Sequence, residues 1–172
     1  DEAFRFARGE KVRASVGEYA QLVRPLDFLV VADHAENLGL APMIAESNPK
    51  LLKNDWGRQI HDKVKGGDHM AAFVQWGEAM AALTDPIDED DLTRTIWNRI
   101  VESAEQANEP GVFTAIHGFE WTSLPDGNNL HRVVMFRDDA GKVEDLIPFS
   151  NYDSSDPEDL WAWMQKYEEK TG

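Results

Sequence analysis

No cysteine occurs among the 172 residues. Disulfides, thiolate metal sites and cysteine nucleophiles are therefore excluded. Any metal must be held by His, Asp and Glu, a donor set that suits Zn, Mn, Fe or Mg. No apolar run approaches the ~20 residues that cross a bilayer, and no signal-peptide pattern opens the chain. Positive charge is scarce, with 17 Lys and Arg against 32 Asp and Glu and a net charge of −15. Nucleic acid is not expected as an electrostatic partner, because its phosphates would be repelled. A bound metal inverts the local field, so a small phosphorylated substrate stays admissible. Gly-x-Ser-x-Gly is missing, and neither Gly66-Gly67 nor Gly127 belongs to a phosphate-cradling loop. Internal repeats and low-complexity segments are also missing.

What is present suffices for one domain. Hydrophobic residues make up 42% of the chain, enough to bury a core and to argue against global disorder. The chain opens at Asp1-Glu2-Ala3-Phe4, without Met and inside a helical pattern, and closes at Thr171-Gly172 just past a helix. A fragment or processed piece is expected, with residues 1–172 forming a single domain.

Phe4 with Ala7, and Ala3 with Phe6, stand at helical spacing before Gly9. Lys11 to Ala14 and Glu18 to Val23 flank Ser15-Val16-Gly17 as a short hairpin. Phe28 to Ala32 is a continuous apolar run, which reads as a strand buried on both faces as in parallel sheets. Residues 37 to 54, with Pro42 and Pro49, read as loop. Helices are expected over 55–65 and 67–83, the second with Met70, Phe73, Val74 and Met80 on its apolar face. A stronger helix follows the acidic run Asp88 to Asp91, which favours a helix N-terminus. Its stripe is Leu92, Ile96, Trp97, Ile100, Val101 and Ala104. Strands are expected over Val112 to Trp121 and Leu130 to Arg137. A turn at Asp138 to Gly141 leads into Lys142 to Ile147. Asp156 then caps a last helix with Pro157 at its first position. The class is α/β, with a helical excursion at about 37–110, longer than a single crossover helix.

The polar residues of interest stand at strand ends. Asp33 and His34 close the Phe28 to Ala32 run, Glu120 closes the second strand, and His131 opens the third across a Gly/Asn loop. Ligands gather at the C-terminal ends of strands in α/β folds. If the last two strands are neighbours, His34, Glu120 and His131 converge, and three such N/O donors suit a catalytic metal. Ordinary polar strand ends are the other account of the same residues. No catalytic acid or base is assigned. Arg132, beside His131, is a candidate for neutralising substrate charge, although strand alternation can aim it away.

Val31-Ala32-Asp33-His34 resembles the Thr-Asp-His motif of the PHP (polymerase and histidinol phosphatase) superfamily. Gly118-Phe119-Glu120-Trp121, with His131 eleven residues after Glu120, resembles that superfamily's next pair of ligands. The wider pattern is similar to an uncharacterised bacterial family of PHP-like proteins, over residues 24–36, 118–123, 127–134 and 156–163. The resemblance implies part of a distorted seven-stranded (β/α) barrel with a helical insertion. It also implies a centre of two or three divalent metals (Zn, Mn or Fe) at the strand ends, and a phosphoesterase activity. It makes His34, Glu120 and His131 ligands, Glu120 the bridge between metals, and Asp33 a ligand or its supporting partner. The superfamily's opening His-x-His and late His motifs have no counterpart in this chain, so the segment is expected to bind metal weakly and to lack full activity. A barrel missing strands exposes edges, which a homodimer or strand exchange would cover.

Other constellations are weaker. His61-Asp62 and Asp68-His69 tempt an HD-type phosphohydrolase reading but lack further ligands. His117 is expected to be a satisfied histidine of the sheet or core. Trp161 and Trp163 lie ~200° apart on a helix, so they form no single stacking platform, and one is expected in the core.

Overall fold

A short helix, α1 (Glu2–Ala7), buries Phe4 and Ala7. The predicted hairpin follows as β1 (Val12–Arg13) and β2 (Tyr19–Ala20), paired antiparallel. β3 (Phe28–Val30) departs from its predicted environment. Phe28 is 61% exposed, and Leu29 and Val30 are half-buried. The physical reason is that Phe28 projects from the sheet face that also exposes Val133 and Met135, so an apolar run alone did not imply cover on both faces. The coordinates come from a computed structural model that describes residues 2–88, 90–144 and 146–172. Asp1, Glu89 of the acidic run and Asp145 of the predicted Lys142 to Ile147 segment lie outside the described residues.

Residues 37–54 are not loop. They form α2 (Leu40–Ala45) and α3 (Pro49–Lys53). Both prolines sit in first turns, where the missing N–H costs nothing. Asn48 caps α3 by accepting from the Lys50 N–H at 2.9 Å. α4 (Asp55–Lys65) and α5 (His69–Ala82) are capped in the same way by Asn54 and Asp68. The apolar face predicted for α5 is corrected: Met70, Phe73 and Val74 are exposed, while Ala72, Gln75 and Met80 are buried. The helix packs on α4 through Gln75, whose Oε1 accepts from Lys63 Nζ at 2.6 Å. This side-chain hydrogen bond is invisible to a hydrophobicity pattern. α6 (Asp90–Ala107) buries Leu92, Ile96, Trp97, Val101 and Ala104 of the stripe its spacing predicts, with Ile100 half-buried.

β4 (Thr114–Ser123) and β5 (Leu130–Phe136) follow. α7 (Ala140–Val143) begins inside the predicted turn. α8 (Pro157–Thr171) starts at its predicted Asp156 cap, whose carboxylate accepts from the Glu158 N–H at 2.9 Å.

The larger sheet has the order β3-β4-β5, with β3 parallel and β5 antiparallel to β4. Between the two parallel strands runs the helical section α2 to α6. The class is mixed α/β, and no sheet closes into a barrel among the described residues. One sheet face carries Phe119, Trp121, Val134 and Phe136 into the main core against α6 and α8. There Trp97 and Trp163 meet Phe119 edge to face at 6.1 and 5.7 Å, so Trp163 is the core member of its pair and Trp161 is exposed. The buried Trp97 indole N–H donates to the Val143 carbonyl at 2.7 Å. The opposite face is open: Val133 and Met135, beside Phe28, are exposed.

Candidate metal centre

Register dictates what the open face carries. Val30 pairs with Ile116, and an isolated parallel bridge joins His34 to Glu120. The two pairs share one sequence separation, so the ladder resumes in register after a break at 31–33. Two backbone hydrogen bonds hold it there, Glu120 N–H to the Asp33 carbonyl and Ala35 N–H to the Glu120 carbonyl, both 2.8 Å. On the other side of β4, Thr122 pairs with His131. Side chains alternate along strands and paired residues share a face. His34, Glu120, Thr122 and His131 therefore project from the same face, at the C-terminal ends of β3 and β4.

The side chains meet there. One donor atom each from His34, Glu120 and His131 lies within 4.8 Å of the others. His131 Nδ1 is 2.9 Å from Glu120 Oε1, and His34 Nε2 is 3.6 Å from Glu120 Oε2. The Thr122 hydroxyl sits between the rings, 2.9 Å from His34 Nδ1 and 3.0 Å from His131 Nδ1. A hydroxyl has one proton to give and can accept as well. It can accept a hydrogen bond from the His34 Nδ1–H. With Nδ1 protonated, His34 keeps the Nε2 lone pair toward Glu120, the tautomer a metal requires.

Glu36 completes the group, and sequence reasoning missed it. The residue is 2% exposed. Its Oε1 accepts from the Thr122 and Asn151 backbone N–H groups at 3.1 and 3.0 Å. Its Oε2 is buried without a hydrogen-bond partner and stands 3.5 Å from His34 Nδ1. Burial pushes the carboxyl above its ordinary pKa, opposed by the two backbone donors and by His34. A buried carboxylate oxygen with nothing to accept from is costly. A cation held by His34 would offset that cost, so the donor set fits a divalent metal. The sequence signal available for Thr122 was its place two residues past Glu120 on one strand face. Glu36 offered no comparable signal, because its burial depends on chain 86 and 115 residues away.

The other predicted site residues lie apart. Asp33 alternates to the opposite side of the chain from His34, is exposed, and is not in the cluster. Arg132 pairs across from Trp121, so it leaves β5 on the side away from His131, and its guanidinium donates to the His131 carbonyl at 2.8 Å. His61 is held by Ser47 and Asp62 at 3.0 and 2.9 Å. His117, 4% exposed, pairs through Nε2 with Glu105 at 2.8 Å, while its Nδ1 is buried without a hydrogen-bond partner among the described residues, so the expected satisfied histidine is only half satisfied.

Residues 1–172 match the model of a family described as "Protein of unknown function (DUF3604)". No curated protein and no solved structure shows a match.

Proposed function

The chain belongs to the DUF3604 family, and from the site it carries we propose that it is the site-bearing part of a metal-dependent hydrolase acting on phosphoesters, of the PHP kind. The observation that carries this reading is the convergence of His34, Glu120 and His131, with the unpartnered oxygen of Glu36 directly behind His34. The sheet is then one arc of a distorted seven-stranded (β/α) barrel whose inner face is the open one. The parallel β3–β4 pair and the helical crossover between them support that view.

His34 and His131 would hold a Zn, Mn or Fe ion through ring nitrogens and Glu120 through its carboxylate. A divalent metal bound there supplies Lewis acidity, acidifying water and polarising a phosphoryl oxygen. Thr122 orients the two rings. Glu36, 3.5 Å behind His34, adds negative charge that favours a cation. Hydrolysis joins the water oxygen to phosphorus and breaks the bond to the ester oxygen, which takes one of the water's protons and leaves as the alcohol. A centre of two or three metals needs ligands beyond these three, so this segment is expected to bind metal weakly and turn over slowly by itself.

The test is calorimetric titration with Zn and Mn, followed by a screen of phosphomonoesters and phosphodiesters on the full-length protein. If no metal binds, and His34→Ala and Glu120→Gln change nothing, the hydrolase reading fails. A second reading, a non-catalytic scaffold of the same fold, is favoured by one observation: the open sheet face exposes Phe28, Val133 and Met135. The edges of β3 and β5 could then pair with a second copy. Strand-mediated dimers without metal uptake would support it.

A further inference from the structure

α5 turns an apolar stripe away from the core. Met70, Phe73, Val74, Gly77 and Ala81 fall within about 100° of the helix surface at ~100° per residue. Met70 is 71% exposed, Phe73 64% and Val74 50%, and Ala81 is exposed as well. The packing residues Ala72, Gln75 and Met80 lie on the other side. In a chain with 32 Asp and Glu this stripe carries no charge, and Glu78 only borders it.

The stripe is graded in size. Met70, Phe73 and Val74 make its N-terminal half, Gly77 and Ala81 its C-terminal half. Glycine inside a helix costs about 1 kcal/mol relative to alanine. A Cβ at Gly77 would meet nothing within 4 Å among the described residues, so no packing within this chain requires the missing side chain. A second helix approaching from outside would use it.

We propose that α5 is a self-association surface, on which a second copy of this chain docks its own α5 antiparallel. That orientation sets Phe73 over Gly77 and Met70 over Ala81 in both directions at once, the self-complementary contact that a two-fold axis demands. A parallel pair would set Phe73 against Phe73 and leave the small positions uncovered. Antiparallel helix dipoles also oppose one another favourably, and Glu78 stands level with the partner's Ala72 rather than with its own counterpart. Phe73 arrives partly ordered, its ring 6.0 Å from that of Trp76, which reduces the freedom lost on docking. The contact uses neither strand edge and does not depend on the metal centre. One 14-residue helix buries less than the roughly 1,200 Å² at which standard interfaces begin, so a dissociation constant of about 10–100 µM is expected. Each copy carries a net charge of −15, so association should tighten as salt screens the repulsion.

The test is sedimentation velocity on the metal-free protein from about 1 to 300 µM, a range that brackets this constant, at ~0.05 and ~0.5 M NaCl, either side of physiological screening. A monomer–dimer equilibrium that tightens at the higher salt is expected. Gly77→Lys should weaken it at least about 10-fold with no fall in melting temperature, because the new side chain meets only open space within the monomer and lysine favours a helix over glycine. Phe73→Ala should weaken it by about as much, the effect of one ring left unburied. The chain has no cysteine, so a short bis-maleimide should join copies of Val74→Cys, near the two-fold axis, and not copies of Val133→Cys on the open sheet face. A monomer throughout the series, a dimer that survives both Gly77→Lys and Phe73→Ala, association that weakens with salt, or cross-linking through Val133→Cys in place of Val74→Cys overturns the proposal. Each of these outcomes leaves the metal reading standing, since no metal enters the measurement.

Discussion

β4 carries one His–Glu arrangement on each of its faces, and the two differ in kind. On the core side, His117 meets a single carboxylate, Glu105 of α6, at 2.8 Å. On the open side, Glu120 meets two imidazoles, and a second carboxylate, Glu36, stands behind one of them. The residue types are the same, so composition does not separate them. The number of chain segments that converge does. The core pair also leaves a buried atom over, His117 Nδ1, but it offers one imidazole and one carboxylate where a metal centre takes three donors or more. Donors from β3's extension, β4 and β5, with a buried oxygen left over, make a cage that a cation would complete.

The largest expected effect separates the two faces outright. His34→Ala, His131→Ala or Glu120→Gln should weaken zinc binding by roughly 100-fold or more, above the 10–100-fold typical of outer partners. His117→Ala should leave zinc affinity unchanged in the same titration. Zinc uptake that vanished with His117 would break the comparison.

Glu36→Gln sharpens it. The amide oxygen can still accept from Thr122 and Asn151, but the charge behind His34 is gone. Zinc affinity should fall about 10–100-fold. The metal-free protein should melt no lower than the unmutated one, because the substitution relieves a buried carboxylate oxygen without a donor. A large loss of melting temperature would instead make Glu36 a structural anchor and weaken the cation reading.

Glu105→Ala tests the core face. It leaves the His117 ring buried with no partner on either nitrogen among the described residues. The expected cost is about 1–2 kcal/mol in urea denaturation, with zinc binding intact.

The sequence made some of this legible, for physical reasons. Alternation along β4 and the turn to β5 sufficed to bring Glu120 near His131, since both constraints are local. Caps were legible at Asp156 because a cap is satisfied within its own turn. The helices at 40–45 and 49–53 were hidden because Pro42 and Pro49 read as breakers when each only opens a first turn. The rotation of α5 was hidden because Gln75, not Phe73, is its packing residue. Asp33 was placed in the site by the resemblance of Ala32-Asp33-His34 to a Thr-Asp-His motif, but it is exposed and stands outside the cluster.

The smallest expected effect concerns a fourth carboxylate, Asp138, just past β5, where the Tyr167 hydroxyl of α8 donates to it at 2.9 Å. That hydrogen bond, with Lys142 assisting, holds Asp138 below its ordinary value of 3.8. Its stabilisation is therefore present above pH 3.8 and is lost as pH falls through the lowered folded value. Tyr167 is pushed from 10 up to about 12, first by burial and then by Asp138. The stabilisation tied to its proton is complete below pH 10 and is lost as pH rises through about 12. Tyr167→Phe should flatten the melting-temperature profile in both windows and leave zinc affinity untouched. Asp138 has a tyrosine and a lysine for partners and no imidazole, so a change in zinc affinity here would mean that α8 positions the cluster through the core it shares with β4. The difference between the two faces would then be one of degree.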